Sequence, residues 1–173
     1  FNNVYVLKSS NPNVAYISDD GTIIARATGI TTITAYTVSG ASASVTFSVT
    51  PDKPQNLTAT AKTTTSAELT WKAIPNVTGY NIYRSTSKNG TFKKVGSATT
   101  NSYTDKGLSK GKTYYYKVAC YVNSDGKQAI SAYSSVVSVK AAAPAPAQVS
   151  AKKAKSGAAK ITWSKSTGAN GYE

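Results

Sequence analysis

Seven carboxylates and one thiol are the groups in this 173-residue chain that could do chemistry beyond packing. Asp19 and Asp20 stand side by side ahead of Gly21, and a divalent cation is the first idea. Calcium takes about six to eight oxygens, so two adjacent acids without a further ligand loop read more simply as a turn. Glu68, Asp105 and Asp125 raise hydrolysis by paired acids, which needs two carboxyls facing each other across a cleft. Alternation puts Glu68 on the outer face of a strand, and Asp105 and Asp125 fall in expected loops. No catalytic pair is expected from them. Cys120 lies on the apolar side of an alternating run, where a small buried hydrophobe is expected and a reactive thiol is not.

The zeros exclude more than the acids suggest. The chain has no His, so it holds no Ser-His-Asp or Cys-His nucleophile pair and no imidazole ligand. A single Cys rules out an intramolecular disulfide and the usual Cys/His zinc cluster. We therefore expect no cofactor, no metal and no enzyme activity. Apolar runs are only a few residues long, so no membrane insertion is expected.

Charge is the next constraint. The net charge is +13, and 18 of the 20 cations are Lys. Residues 1–50 are neutral overall, residues 51–143 carry 13 basic against 4 acidic groups, and residues 144–173 carry five Lys against Glu173. Specific nucleic-acid readout favours the planar fork of Arg, and no recognition helix is visible, so no specific nucleic acid is expected. Dispersed Lys suits a solvated surface that blunts edge pairing. It also suits salt-dependent attraction to an acidic polymer such as teichoic acid or an anionic glycan.

The elements that must carry these groups are strands. Thr, Ser, Val, Tyr, Ala and Gly dominate, and apolar residues alternate with period 2 rather than at helical spacing. Tyr114, Tyr116, Val118, Cys120 and Val122 form one side of a run whose other side is Tyr115, Lys117, Ala119 and Tyr121. Tyr83, Tyr115 and Tyr121 then point away from the core on strands expected to share the larger sheet. Such a face could stack sugar rings; the simpler reading, and the favoured one, is ordinary strand surface or packing on a neighbouring module.

A register of 92 residues organises the chain. Trp71 and Trp163, Pro54 and Pro146, Leu57 and Val149, and Gly79-Tyr80 and Gly171-Tyr172 all keep that offset. The full copy reads as seven strands: Asn56–Lys62, Ala67–Ala73, Tyr80–Ser85, Thr91–Gly96, Ser102–Thr104, Thr113–Val122 and roughly Ala129–Lys140. Pro51 marks its start, and Ala141-Ala-Ala-Pro-Ala-Pro146 is a short linker to the second copy. That second copy reaches Glu173 after about two strands, too few to close a core. No basic-then-apolar leader follows Phe1, and the chain reads as an excised or processed piece.

These residues carry a resemblance. Leu69-Thr-Trp71, Gly79-Tyr-Asn-Ile-Tyr-Arg-Ser85, Ser102-Tyr-Thr-Asp-Lys-Gly-Leu108, Gly111 through Val118 and Ser131-Ala-Tyr-Ser134 resemble the fibronectin type III domains of secreted Gram-positive proteins. The resemblance covers residues 51–142, with linker and first strands of another copy at 143–173. It implies an all-β, Ig-like sandwich of two sheets, with Trp71 in the core and Trp163 as its counterpart. It also implies that Tyr114, six residues after Leu108, is the corner tyrosine whose hydroxyl bonds to nearby backbone. Residues 1–50 lack the Trp. Their Ser18-Asp-Asp-Gly-Thr22 turn signal and the alternating Thr31, Ile33, Ala35 and Val45, Phe47, Val49 resemble the C-terminal half of a bacterial Ig-like domain of group 2. Leu7 stands where that family often has Trp. Some bacterial Ig-like domains carry a Lys–Asn isopeptide bond beside a buried acid, but the outward parity of Glu68 argues against one here. The loop Asn123–Lys127 lacks the Arg-Gly-Asp found there in some animal relatives. Asn56, Asn76 and Asn89 begin N-x-Thr sequons, which matter only in a glycosylating host.

The resemblance implies a non-catalytic spacer of a secreted, multidomain bacterial protein, extracellular or on the cell surface. Alternatives are a carbohydrate-binding or adhesion module using Tyr83, Tyr115 and Tyr121, or an accessory region of an extracellular carbohydrate-active enzyme. Expected partners are neighbouring domains of the same chain, with cell-wall or host glycans as further candidates.

Overall fold

The computed structural model describes residues 5–124, 126–143, 145–146, 148–153, 158–166, 169 and 171. Every helix-or-strand element among them is a β-strand. Five lie ahead of Pro51: β1 (Tyr5–Ser9), β2 (Ala15–Ile17), β3 (Ile23–Ala25), β4 (Gly29–Thr37) and β5 (Ser42–Val49). Antiparallel β1, β4 and β5 make one sheet in that order, and β2 pairs with β3 as a hairpin. Its turn explains the Asp19-Asp20 pair. The Asp20 carboxylate accepts bonds from the Ser18 hydroxyl and, at 3.0 Å, from Thr22 N–H, while Gly21 takes φ +83°. The Ser18 bond and then the Thr22 bonds hold this carboxyl below its usual range. Thr31 is buried in β4, where its hydroxyl meets those of Ser9 and Ser10 and accepts from Asn11 N–H at 2.9 Å.

Residues 57–141 form the sandwich. One sheet runs β10 (Ser102–Lys106), β7 (Ser66–Thr70), β6 (Thr58–Thr63). The other has β9 (Lys93–Ala98), β8 (Gly79–Ser85) and β11 (Thr113–Ser124), with both β12 (Lys127–Ile130) and β13 (Val137–Lys140) on the far side of β11. Alternation decides what lies between the sheets. Leu57, Leu69 and Trp71 come from one side, Tyr80, Ile82, Tyr116, Val118 and Cys120 from the other, and Leu108, Tyr114 and Val139 complete the core. Trp71 and Tyr80 meet edge to face with centroids 5.0 Å apart. Tyr103 crosses from β10 to β9, donating to the Val95 carbonyl at 3.0 Å, and Gly96 is required because a Cβ there would collide with that ring.

The seventh expected strand, Ala129–Lys140, is two strands. Between them Ser131 and Ser134 replace the regular ladder, their hydroxyls accepting from Cys120 N–H and Val118 N–H at 3.0 Å each. A hydroxyl that takes over a ladder bond frees the backbone to leave the sheet.

Beyond the linker, β14 (Ser150–Lys153) and β15 (Ala159–Thr162) pair antiparallel. At the other end, the β11–β12 hairpin touches the first sheet. Ser124 Oγ donates to the Ile30 carbonyl at 2.8 Å, and Lys127 Nζ to Thr46 Oγ1 at 3.3 Å.

Candidate functional site

The outer face of the five-stranded sheet is built by the same alternation that fills the core. With Ile82 and Val118 turned inward, Tyr83 and Lys117 must turn outward, and they are register partners. Lys94 of β9 is paired with Tyr83 on its other side. Tyr133, in the segment that leaves the ladder, packs edge-on against Tyr83 at 5.1 Å between centroids. The Lys117 ammonium sits 3.6 Å from the centre of the Tyr133 ring and 4.7 Å from that of Phe92. A row Lys94–Tyr83–Lys117 therefore crosses the strands, a ring between two cations, and Tyr133 packs against both Tyr83 and Lys117. Burial first, and then Tyr133, pushes the Tyr83 hydroxyl pKa above its usual value.

The three tyrosines singled out by parity are not all in this row. Tyr115 faces Ser85 and is a diagonal neighbour of Tyr83. Tyr121 stands apart: it faces Gly79, four residues along β11 from Lys117, or roughly 13 Å. Its ring lies so close that a Cβ on Gly79 would come within 2.9 Å of the hydroxyl oxygen. Parity singled out Tyr83 and put Lys117 on the outward side, but it gave no sign of Tyr133 or Phe92. Only the pairing of β8 with β11 brings Lys117 beside Tyr83, and Tyr133 arrives from a segment that reads as strand.

The face is also one-signed. No Asp or Glu lies on β8, β9, β11, β12 or β13; Lys94, Lys117 and Lys140 fall on the outer side, while Arg84 turns inward to Asp105 with Lys93 beside it and Lys127 reaches Thr46.

The acids fall elsewhere. Glu68, on β7, is partly exposed and pairs with Lys62 at 2.7 Å. Asp105 corrects the loop assignment: it is a buried residue of β10, held by Arg84 Nη1 at 2.9 Å and by the Tyr116 hydroxyl, which donates at 2.7 Å. Burial, followed by this bond and the carboxylate's charge, pushes the Tyr116 pKa far up. Asp125 lies outside the described residues. Asp105 thus has two structural partners and no second carboxylate across a cleft, and a hydrolytic pair is not assembled among the described residues.

The remaining groups are accounted for by packing. Cys120 is buried, its thiol donating to the Asp52 carbonyl at 3.1 Å, and burial raises its pKa. That is the opposite of what a thiolate nucleophile needs. Ser109 N–H donates to the Tyr114 hydroxyl at 2.9 Å, beside the buried Leu108. A crevice of about 590 Å³ opens where the first sheet meets the sandwich, lined by Arg26, Thr28, Val49, Asp52, Ile74 and Asn76. Asp52 is its one carboxylate. Among the described residues, no three His, Cys, Asp or Glu groups are placed to hold a metal ion.

Two facing sheets closed over Trp71, with a tyrosine hydroxyl bonded to the backbone five residues back, define an Ig-like β-sandwich of the fibronectin type III kind. Residues 52–137 match the fibronectin type III domain family, and over those residues the chain belongs to it. It is similar to a poly(3-hydroxybutyrate) depolymerase of Ralstonia pickettii, 48% identical over 65 residues, spanning 38% of this chain and 12% of the enzyme. Exoglucanase B of Cellulomonas fimi is 33% identical over 127 residues, 68% of this chain and 11% of that protein. An alpha-amylase of Niallia circulans is 42% identical over 74 residues, 41% of this chain and 5% of the enzyme. The chain thus spans a small fraction of the length of these relatives. Among solved structures, a Fn3-like protein from Clostridium thermocellum is 33% identical, covering 51% of this chain and 92% of that one, with a TM-score of 0.42.

Proposed function

We propose that this chain is a non-catalytic spacer and accessory segment of a secreted, multidomain bacterial protein, extracellular or displayed on the cell surface. One observation carries this reading. The same type of segment recurs as a small share of a polyester depolymerase, an alpha-amylase and an exoglucanase. A segment common to proteins of three different names cannot be what fixes any one of their activities. Its contribution is one that all three can use: distance, orientation and solubility for a domain that does the chemistry. Residues 1–50 supply the adjoining part of a group 2 bacterial Ig-like domain, and residues 143–173 the linker and first strands of a second fibronectin type III copy. The bonds of Ser124 and Lys127 to the first sheet support a semi-rigid joint over a slack tether.

The test is a product assay with the purified chain on soluble starch, cellulose and poly(3-hydroxybutyrate). We expect no release of sugar or hydroxy acid above buffer. Turnover of any of the three would overturn the non-catalytic reading.

A further inference from the structure

We propose that the outer face of β8, β9 and β11 binds a linear polyuronate, a polysaccharide bearing a carboxylate on its sugar rings. This goes beyond the spacer role, which stands or falls separately. Three features of the face point to such a chain. First, in the row Lys94–Tyr83–Lys117 two cations flank a ring across two strand spacings, so the backbone positions of the two lysines are about 10 Å apart with an aromatic between them. A polymer of rings with one charge on each matches that alternation. Second, Lys117 is pre-oriented, its ammonium held over the Tyr133 and Phe92 rings. A cation already fixed in place loses less side-chain freedom when it meets an anion. Third, the outward positions of β8, β9 and β11 carry Lys94 and Lys117 and no acid, so the field over the face has one sign.

The nearest described acids do not cancel it. Asp105 is buried against Arg84 and Tyr116, and Glu68 is paired with Lys62 on the other sheet. A neutral glycan would use the rings but would cover Lys94 and Lys117 without pairing them, at a cost in desolvation. A polyanion without rings would use the cations and leave Tyr83 and Tyr133 idle.

Calorimetry with the 173-residue chain and polygalacturonate at low salt tests this. We expect binding that weakens as salt rises. Lys117→Gln and Lys94→Gln should each lose about tenfold in affinity, the worth of one charged contact, and Tyr133→Ala a similar factor. Lys106→Gln removes the same charge from the other sheet and should change affinity less than about twofold. Lys94 is exposed, so its variant carries the test if Lys117→Gln disturbs folding. Poly-L-glutamate, which has carboxylates and no rings, should bind at least about tenfold more weakly. No binding of polygalacturonate would overturn the proposal. So would equal affinity for poly-L-glutamate or soluble starch, or a Lys106→Gln loss as large as that of Lys94→Gln.

Discussion

β6 and β7 pair Thr58 with Thr70 and Ala59 with Leu69; 92 residues on, β14 and β15 pair Ser150 with Thr162 and Ala151 with Ile161. The likeness extends to detail. Thr58 and Thr70 share a hydroxyl–hydroxyl bond of 2.8 Å, and Ser150 and Thr162 one of 2.9 Å. Asn56 and Gln148, the equivalent positions ahead of each first strand, both take φ +55°. Burial is where the two part. Trp71 is 3% exposed and Trp163 45%; Leu69 is 0% and Ile161 57%; Leu57 is 8% and Val149 63%. Register and turn geometry are therefore set by residues close in sequence, whereas burial of the apolar face needs the facing sheet. In the first copy that sheet brings Tyr80, Ile82, Tyr116 and Val118.

The sharpest break of this comparison is the tryptophan pair. Trp71→Ala should destabilise the sandwich by about 3–5 kcal/mol, and Trp163→Ala by less than about 0.5 kcal/mol. Chemical denaturation of both variants reads the difference. Equal losses would mean that the two faces are equally covered. Collisional quenching sharpens the same point without a variant of the fold: the indole that iodide reaches should be that of Trp163.

A smaller effect comes from the buried network that the first copy owns. Tyr116→Phe removes the bond to Asp105 and should cost about 1–3 kcal/mol, measured as a lower denaturation midpoint. The same hydroxyl sets an alkaline limit. Its folded pKa lies above the unfolded value of 10.0, so the folded state keeps a proton that the unfolded state gives up. Stability is therefore intact below about pH 10 and falls as pH rises beyond it. Tyr83 and Tyr103 are shifted the same way, by burial first, and Tyr114 the opposite way, through its bonds with Ser109. Tyr116→Phe should flatten the alkaline decline in a pH series of melting curves; an unchanged slope would remove Tyr116 as its source.

The smallest effect is local and should be shared. Thr70→Val and Thr162→Val each delete one cross-strand hydroxyl pair and should weaken their own hairpins by about 0.2–1 kcal/mol. Amide hydrogen exchange across β6–β7 and β14–β15 measures both. A loss confined to one hairpin would break the likeness of the two.

How far the sequence could be read follows the same division. Strands such as β11 were legible because Tyr114, Tyr116, Val118 and Cys120 are apolar at every second position, and burial on one face leaves that trace. The 92-residue register was legible for the same local reason. Asp105 was not, because Arg84 and Tyr116 lie 21 and 11 residues away and a lone Asp after Tyr-Thr reads as a turn. Nor was the break after Ile130, since serines that take over ladder bonds look like any strand serine until Val118 and Cys120 are known to face them. The outer-face cluster fell between these cases. Tyr83 was visible by parity, while its joining to Lys117, Tyr133 and Phe92 depends on strand pairing.

Small-angle X-ray scattering of the 173-residue chain tests the spacer reading most directly. A compact globule of this length has a radius of gyration of about 16 Å. We expect a clearly larger value, with a long tail in the pair-distance distribution, as modules set end to end would give. A radius of gyration near 16 Å with a symmetric distribution would contradict it.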